Sequence, residues 1–438
     1  MTDKYSFPSS VYDVAVIGAG ASGMACALFL RKTYERSMGR RISIIIIERN
    51  QRPGKKLLMT GNGRCNLTHR SMTPEHFHGN RIDFCQSALA AFDNEDARRF
   101  FESIGLETFY DDSGKAFPVS LQASSVLDCM RYALEEEGIS IMSSTRIDSI
   151  IKKTNAFTLR DERNNTVEAR YIVVACGGAA SPFTGSDGNG YSLLRGCGHT
   201  IIPPLAGIVQ IKTETDFIRA LTGIKAETGV SLLSDDLVIR TEYGEVLFTD
   251  YGLSGPPVLQ LSGHASRLLF TEKNGKKNHK IELSIDFMID RTSKEIEQMI
   301  RNRMTAFSKR KIENLLVGIF HNRLAVRLIK HSVNLPVSKS ISEMSDLDVV
   351  QLAKQIKQTR IRVTGVMPLE NAQVTIGGAS TEEFDPRTME SLLCEGLFAC
   401  GEILDVDGDC GGYNLQWAWS SANAVARCIS NKYIQQPF

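Results

Sequence analysis

Gly18, Gly20 and Gly23 stand at the spacing Gly-x-Gly-x-x-Gly, and Glu48 follows thirty residues after the first of them. The chemistry open to this set is binding of a dinucleotide. Gly18 allows a tight turn, Gly20 lets the backbone approach a pyrophosphate, and Gly23 lets the next helix pack closely on its sheet. Ala19, Ala21 and Ser22 lie between them and offer backbone N–H groups. Glu48 is placed to accept hydrogen bonds from an adenosine ribose, with Arg49 beside it. Three elements must position these residues. The run Val14–Ile17 reads as a buried parallel strand. A helix from Ala21 to about Arg31 aims its N-terminal N–H groups and positive dipole end at the phosphates. A second, β-branched strand, Ile42–Ile47, ends at Glu48. The alternative is a purely structural βαβ unit. Strand, glycine turn, helix, strand and terminal acid in this order favour the dinucleotide site.

Three features separate a tightly held FAD from a diffusing NAD. A second strand runs into glycines at Val173–Gly178, bringing Cys176, Gly177 and Gly178 past the same dinucleotide. After Gly401, Glu402 and Asp405 then supply acids for ribityl hydroxyls. They precede the glycine loop and helix start at Gly411, Gly412, Tyr413, Asn414, Leu415 and Gln416. Such a helix end, aimed at the flavin N1/O2 edge, stabilises the charge of the reduced flavin. The other reading of Gly411-Gly412 is an ordinary loop before a helix. Finally, no second complete Gly-x-Gly-x-x-Gly unit is present, so a separate Rossmann domain for NAD(P) is not expected.

The loop Gly61-Asn62-Gly63-Arg64-Cys65-Asn66 is the candidate wall of an active site. Arg64 either holds a substrate carboxylate or reduced flavin, or clamps backbone. Cys65 is either a redox thiol or a packing residue at the flavin face; an arginine nearby favours thiolate. His69, His76 and His78 follow closely, as proton-transfer groups or as surface loop residues. Tyr251 sits on a tight turn from which it could reach over the flavin. Trp417 and Trp419 read as core rather than as stacking platforms.

The 438 residues allow two or three domains, and 42% apolar content with a formal charge of +1 describes an ordinary globular chain. There is no global basic excess of the kind that marks a nucleic-acid binder. No apolar run approaches the ~20 residues of a membrane helix. No signal-peptide pattern is seen, so cytoplasm is the expected location. Ten scattered cysteines without a CxxC or a Cys/His cluster argue against a structural zinc or disulfide framework, and no metal is expected.

The expected fold class is α/β. Helical segments fall near 83–105 and 121–138, and a hairpin at 139–160 and 167–175 around the turn 161–165. Short strands at 208–212, 230–233, 237–240, 246–248 and 280–285 read as a small β domain. Residues 292–332 and 346–359 carry helical periodicity with many basic residues: Arg301, Arg303, Lys309, Arg310, Lys311, Arg323, Arg327 and Lys330. Their face is a solvated helix surface or a docking site for an acidic partner. Strands resume at 360–367 and 372–376, and a helix closes the chain from about 415 to 430. The expected organisation is a dinucleotide-binding domain over 1–200 and 373–438. Its interruptions are a β domain over 201–290, with a return strand in 359–372, and a helical insert over 291–358.

These residues resemble the BaiN-like flavoproteins, also called the aminoacetone oxidase family of NAD(P)/FAD-dependent oxidoreductases. The matching runs are 18–24, Gly54–Thr68 with its Gly-Asn-Gly-Arg-Cys-Asn-Leu-Thr, 175–181, 250–256, 365–367, and 377–379 through Gly412–Ala418. The resemblance covers nearly the whole chain. It implies a glutathione-reductase-type, Rossmann-like FAD-binding domain with an inserted β domain and a helical domain. It also implies FAD contacts at the first glycine turn, Glu48 and the C-terminal glycine loop. Further contacts fall along Gly54, Lys55, Lys56, Asn62, Gly63, Arg64, Cys65 and Asn66, with a backbone contact to adenine near Ile147. Two departures stand out: Lys55 where the family often has Arg, and Thr60 where it often has Ser. Lysine keeps the charge and loses bidentate phosphate geometry.

The leading expectation is an FAD-dependent oxidoreductase passing hydride between flavin N5 and a small organic substrate, with NAD(P)H as a possible transient donor. Two alternatives stand beside it: an FAD-dependent enzyme that modifies RNA, and a non-catalytic flavin sensor or scaffold. Substrate and oligomeric state stay open.

Overall fold

Val14, Ala15 and Val16 are fully buried and Ile17 nearly so, as a strand covered on both faces must be. In the computed structural model, which describes residues 11–273 and 279–435, they belong to β1 (Tyr12–Ile17). The helix α1 (Ala21–Met38) runs well past the expected Arg31, ending where the Gly39 N–H bonds back to Glu35 O at 2.9 Å. The four isoleucines of β2 (Ile44–Ile47) are all buried and lie parallel to β1. Beyond them β3 (Ser140–Met142) adds a further parallel strand.

The expected hairpin is instead four strands: β3, then β4 (Ile147–Lys152), β5 (Phe157–Asp161) and β6 (Thr166–Val174). Two tight turns divide the segment. One closes with the Lys153 N–H on Ala156 O at 2.8 Å. In the other, the Asp161 carboxylate accepts the N–H groups of Arg163 at 2.9 Å and Asn165 at 2.7 Å. The sheet order is β3-β2-β1-β6-β5-β4. β6 is parallel to β1 and also to β7 (Leu397–Ala399). The C-terminal helix α2 (Tyr413–Gln435) joins α1 and the sheet in one apolar core.

Residues up to Leu205 and from Gln373 onward form one compact unit, and Ala206–Ala372 form another. In the second unit, six strands close a barrel. The expected strands at 237–240 and 246–248 are the two ends of one strand, Leu237–Phe248, because pairing with Lys225–Ser234 runs along its length. The helix Pro256–Lys273 gave no signal in the sequence reading; its prolines occupy the first turn, where a missing N–H costs nothing. The barrel and the helices at 293–306, 322–332 and 346–357 share one core, with Val230, Leu232 and Leu283 packed among Ile296, Leu328 and Leu352. The β domain and helical insert that the sequence reading separated are therefore a single unit.

Much of the basic helical surface is tied down within this unit. Arg303 donates to Leu315 O at 2.6 Å and Val317 O at 2.7 Å, Arg323 to Ala220 O, and Arg327 to Phe217 O at 3.0 Å. Arg301 pairs with Asp346. Among the described residues no helix is long and apolar enough to cross a membrane, and no group of three metal-binding side chains converges.

Candidate functional site

Gly18 has φ of +107°, and a Cβ there would lie 2.5 Å from Ala175 O; one on Gly23 would overlap Gly18 O. Both glycines are fixed by packing. At Gly20 an added Cβ meets nothing within 4 Å. This open space lies at the N-terminus of α1, which has no side-chain cap and no acid in its first turn. Its intrahelical bonding starts with the Met24 N–H on Gly20 O, so the N–H groups of Ala21, Ser22 and Gly23 are left for an anion.

Glu48 is buried and pins this turn. Its Oε2 accepts the Ala19 N–H and its Oε1 the Asn50 N–H, each at 2.8 Å. Arg49 pairs with Asp187, which also accepts the Asn189 N–H at 3.1 Å. Burial opposes ionisation of Asp187, but its hydrogen bond to Arg49 holds it below the ordinary carboxylate value. Asn189 Nδ2 donates to Ile147 O at 3.0 Å, the backbone position expected to meet adenine. The sequence reading passed over Asp187 and Asn189.

The Gly54 N–H bonds Ala19 O at 2.9 Å, which ties the next loop to the first glycine turn. Lys55 Nζ donates to Phe183 O at 2.6 Å. Lys56 Nζ donates to both oxygens of Glu402, at 2.9 and 2.7 Å. Glu402 Oε1 also accepts the N–H and the hydroxyl of Thr375, each at 2.8 Å. Thr375 Oγ1 in turn accepts the N–H groups of Ala179 and Ala180 and leaves no room for a side chain at Gly178. Lys56 thus meets Glu402 directly, and Thr375, whose place no sequence motif marks, links Glu402 to the Gly177-Gly178 turn.

Gly61, Asn62 and Gly63 take left-handed φ of 57°, 55° and 80°, as does Cys65 at 60°. Arg64 is exposed, with its guanidinium 5.0 Å from the Phe117 ring centre. Cys65 is fully buried, and burial pushes its thiol up to about 12. Such burial disfavours the thiolate that a redox nucleophile needs. Burial does the same to Cys176, whose thiol is pushed up to about 12 and donates to Ile17 O. Asn66 Oδ1 is buried without a hydrogen-bond partner, and a Cβ on Gly412 would lie 2.8 Å from it. A buried acceptor left open at the start of α2 fits a ring N–H of a bound cofactor.

Three residues of the C-terminal loop have side-chain partners within the protein. Asp405, read as a ribityl ligand, is 2% exposed and holds the Asn80 N–H at 3.0 Å. Gln416 is fully enclosed: it accepts from Thr68 Oγ1 at 2.7 Å and donates to Phe92 O and Ser420 Oγ, each at 3.0 Å. Asn414 closes its own loop on the N–H and carbonyl of Gly408. Gln416 and Asn414 use their amides inside the protein, where the turn into α2 needs them. Leu415 is half-buried. The Gly401 N–H bonds Ser421 Oγ at 2.9 Å. Trp417 and Trp419 are core, each donating to a backbone carbonyl.

His76 and His78 are not free surface residues. Both hydrogen-bond Asp409, at 3.0 and 2.9 Å, and His76 and His69 stack with Tyr413, at 4.3 and 5.1 Å between ring centres. Tyr251 belongs to the second unit, in a turn closed by Thr249 Oγ1.

The fold and these residues define a Rossmann-type FAD-binding protein, an FAD-dependent oxidoreductase by class. The model of the HI0933-like protein Rossmann domain matches residues 12–428, and the chain belongs to that family. It is 33% identical over 419 residues to a 3-dehydro-bile acid delta(4,6)-reductase of Clostridium scindens, covering 96% of this chain and 99% of that protein. It is 31% identical over 421 residues to a ribosomal RNA dihydrouridine synthase of Escherichia coli, covering 95% and 97%. A solved 3-ketosteroid delta1-dehydrogenase from Sterolibacterium denitrificans aligns over 97% of this chain and 100% of its own at 12% identity, with a TM-score of 0.49.

Proposed function

We propose that the chain reduces a carbon–carbon double bond conjugated to a carbonyl in a small organic substrate, with NAD(P)H as electron donor. The observation that carries the cofactor assignment is the open space over the uncapped N-terminus of α1, with Glu48 fixed at its side. In this reading the first-turn N–H groups of α1 hold the pyrophosphate and Glu48 holds the adenosine ribose. Lys56 and Glu402 line the middle of the cofactor. Asn66 Oδ1 and the start of α2 meet its ring end. Bound FAD supplies hydride exchange at N5; the protein supplies position and electrostatics. The reaction class is supported by the near full-length likeness to a reductase named for bile-acid double bonds.

The test is an anaerobic absorbance titration of the purified protein with NADH and with NADPH, followed by addition of a 3-oxo-Δ4 steroid acid. Bleaching by a nicotinamide and recovery on the steroid are expected. Bound flavin that neither nicotinamide bleaches would overturn the donor, and bleached flavin that the steroid does not restore would overturn the substrate class.

A second reading is supported by the 31% identity, over 95% of this chain, to a ribosomal RNA dihydrouridine synthase. Dihydrouridine differs from uridine by two hydrogens across a double bond conjugated to a ring carbonyl, so the bond chemistry is the same. Against it stand Arg301, Arg303, Arg323 and Arg327, which are engaged within their own unit. Binding to ribosomal RNA whose logarithmic affinity falls steeply with salt would favour it; salt-insensitive or absent binding would dismiss it.

A further inference from the structure

Asp409 is nearly buried, its side chain 4% exposed, and two imidazoles share it. His76 Nδ1–H donates to one oxygen and His78 Nε2–H to the other. The backbone fixes all three, through the pairing of Asp407–Gly408 with Phe77–His78 and a bond of 2.9 Å from the Asp409 N–H to His76 O. The flat face of His76 lies on Tyr413, the first residue of α2, with the planes 23° apart. With Nδ1 committed to a carboxylate, Nε2 is the nitrogen of His76 able to exchange a proton. The ring keeps a path to water, since its side chain is 31% exposed.

We propose that His76 is the proton store of the bound flavin: as two electrons and one proton enter the ring, His76 Nε2 binds a second proton from solvent. The resulting imidazolium, rather than a proton on flavin N1, balances the charge of the reduced ring. The electrons come from NAD(P)H or, in the test, from dithionite. The proposal rests on the reading that the start of α2 is the ring end of the site. It deepens that reading by naming the group that couples reduction to pH.

Two carboxylates lie beside His76. Asp409 supplies a nearly buried negative charge, which His78 shares. Glu75 is the adjacent acid, held below its ordinary value mainly by its hydrogen bond to Thr73, with a smaller contribution from His76. Tyr413 separates His76 from His69. Cys410 is kept as a neutral thiol by burial. A neighbouring carboxylate and a reduced, anionic ring both raise the proton affinity of an imidazole.

The experiment is the potential of the FAD-loaded full chain, measured against redox dyes from about pH 7 to about 8.5, the range just above an unperturbed imidazole. In the unaltered protein the potential is expected to fall with pH at the slope of two protons per two electrons. In His76→Gln the slope should halve, to one proton. Equal slopes in the two proteins would overturn the proposal. Should His76→Gln fail to retain FAD, Asp409→Asn decides by the same comparison. It keeps the shape and removes the charge, so its two-proton slope should give way to one proton at a lower pH than in the unaltered chain. An unaltered chain that binds no FAD would overturn the flavin reading itself, which is a separate result from equal slopes.

Discussion

A methyl group on Gly23 would overlap Gly18 O, whereas one on Gly20 would meet no atom within 4 Å. Two glycines of one motif therefore fail differently when enlarged. Gly23→Val should destabilise the fold by about 3 kcal/mol, the upper end of overpacking costs, seen as a lower denaturation midpoint. Gly20→Val should leave that midpoint nearly unchanged and weaken FAD binding by about tenfold or more, which corresponds to ~1.4 kcal/mol. Flavin fluorescence titration reads the second effect, and full FAD occupancy in Gly20→Val would refute the pyrophosphate assignment. Cys65 makes a second contrast. A thiol pushed up to about 12 by burial should resist iodoacetamide at neutral pH in the folded chain and react once the chain is unfolded. Rapid native labelling of Cys65, mapped by mass spectrometry, would favour its redox role.

At the scale of elements, the first turn of α2 shows how packing claims a motif. Gln416 stands in the Gly-Tyr-Asn-Leu-Gln run that looks made for a cofactor. Its amide instead joins Thr68, Phe92 and Ser420 inside the core. Gln416→Leu would strand the Thr68 hydroxyl, while the Phe92 carbonyl keeps the Ser420 hydroxyl; a buried polar group left unpaired costs about 1–3 kcal/mol. A stability loss of about 2 kcal/mol in urea denaturation is expected. A loss of FAD affinity with stability unchanged would return Gln416 to the cofactor.

For the molecule as a whole, two histidines whose proton affinity desolvation lowers bear on the acid side of the stability profile. His199 lies between Glu383, at 3.1 Å, and Ser391, at 2.9 Å. Burial lowers its proton affinity below the ordinary 6.5, although Glu383 opposes this. His331 in the second unit is lowered by burial as well. The unfolded chain then binds more protons than the folded one just below pH 6.5. The stability tied to these histidines is complete above that pH and is lost as the pH falls from there toward their folded values. Thermal melts from pH 7.5 downward check this: His199→Gln should flatten the fall below pH 6.5 in the first unit. An unchanged profile would mean that other groups govern it.

The sequence by itself determined the βαβ unit and its glycine turn, since β-branched runs, glycine spacing and a terminal acid are local signals. It also located the loop at 61–66 and the closing helix. What only the tertiary structure decided is who meets whom. Glu402 joins Lys56 to Thr375, which reaches the turn after Gly178, from far along the chain. Asp409 collects two histidines more than 300 residues away. Asp405, Asn414 and Gln416 carry the right chemistry for a ligand, yet their hydrogen bonds are taken up inside the protein. The barrel strand at 237–248 and the helix at 256–273 follow the same rule, because strand pairing and a shared core override local pattern. Residue type states which bond a side chain can make, and the fold decides which partner comes within reach to make it.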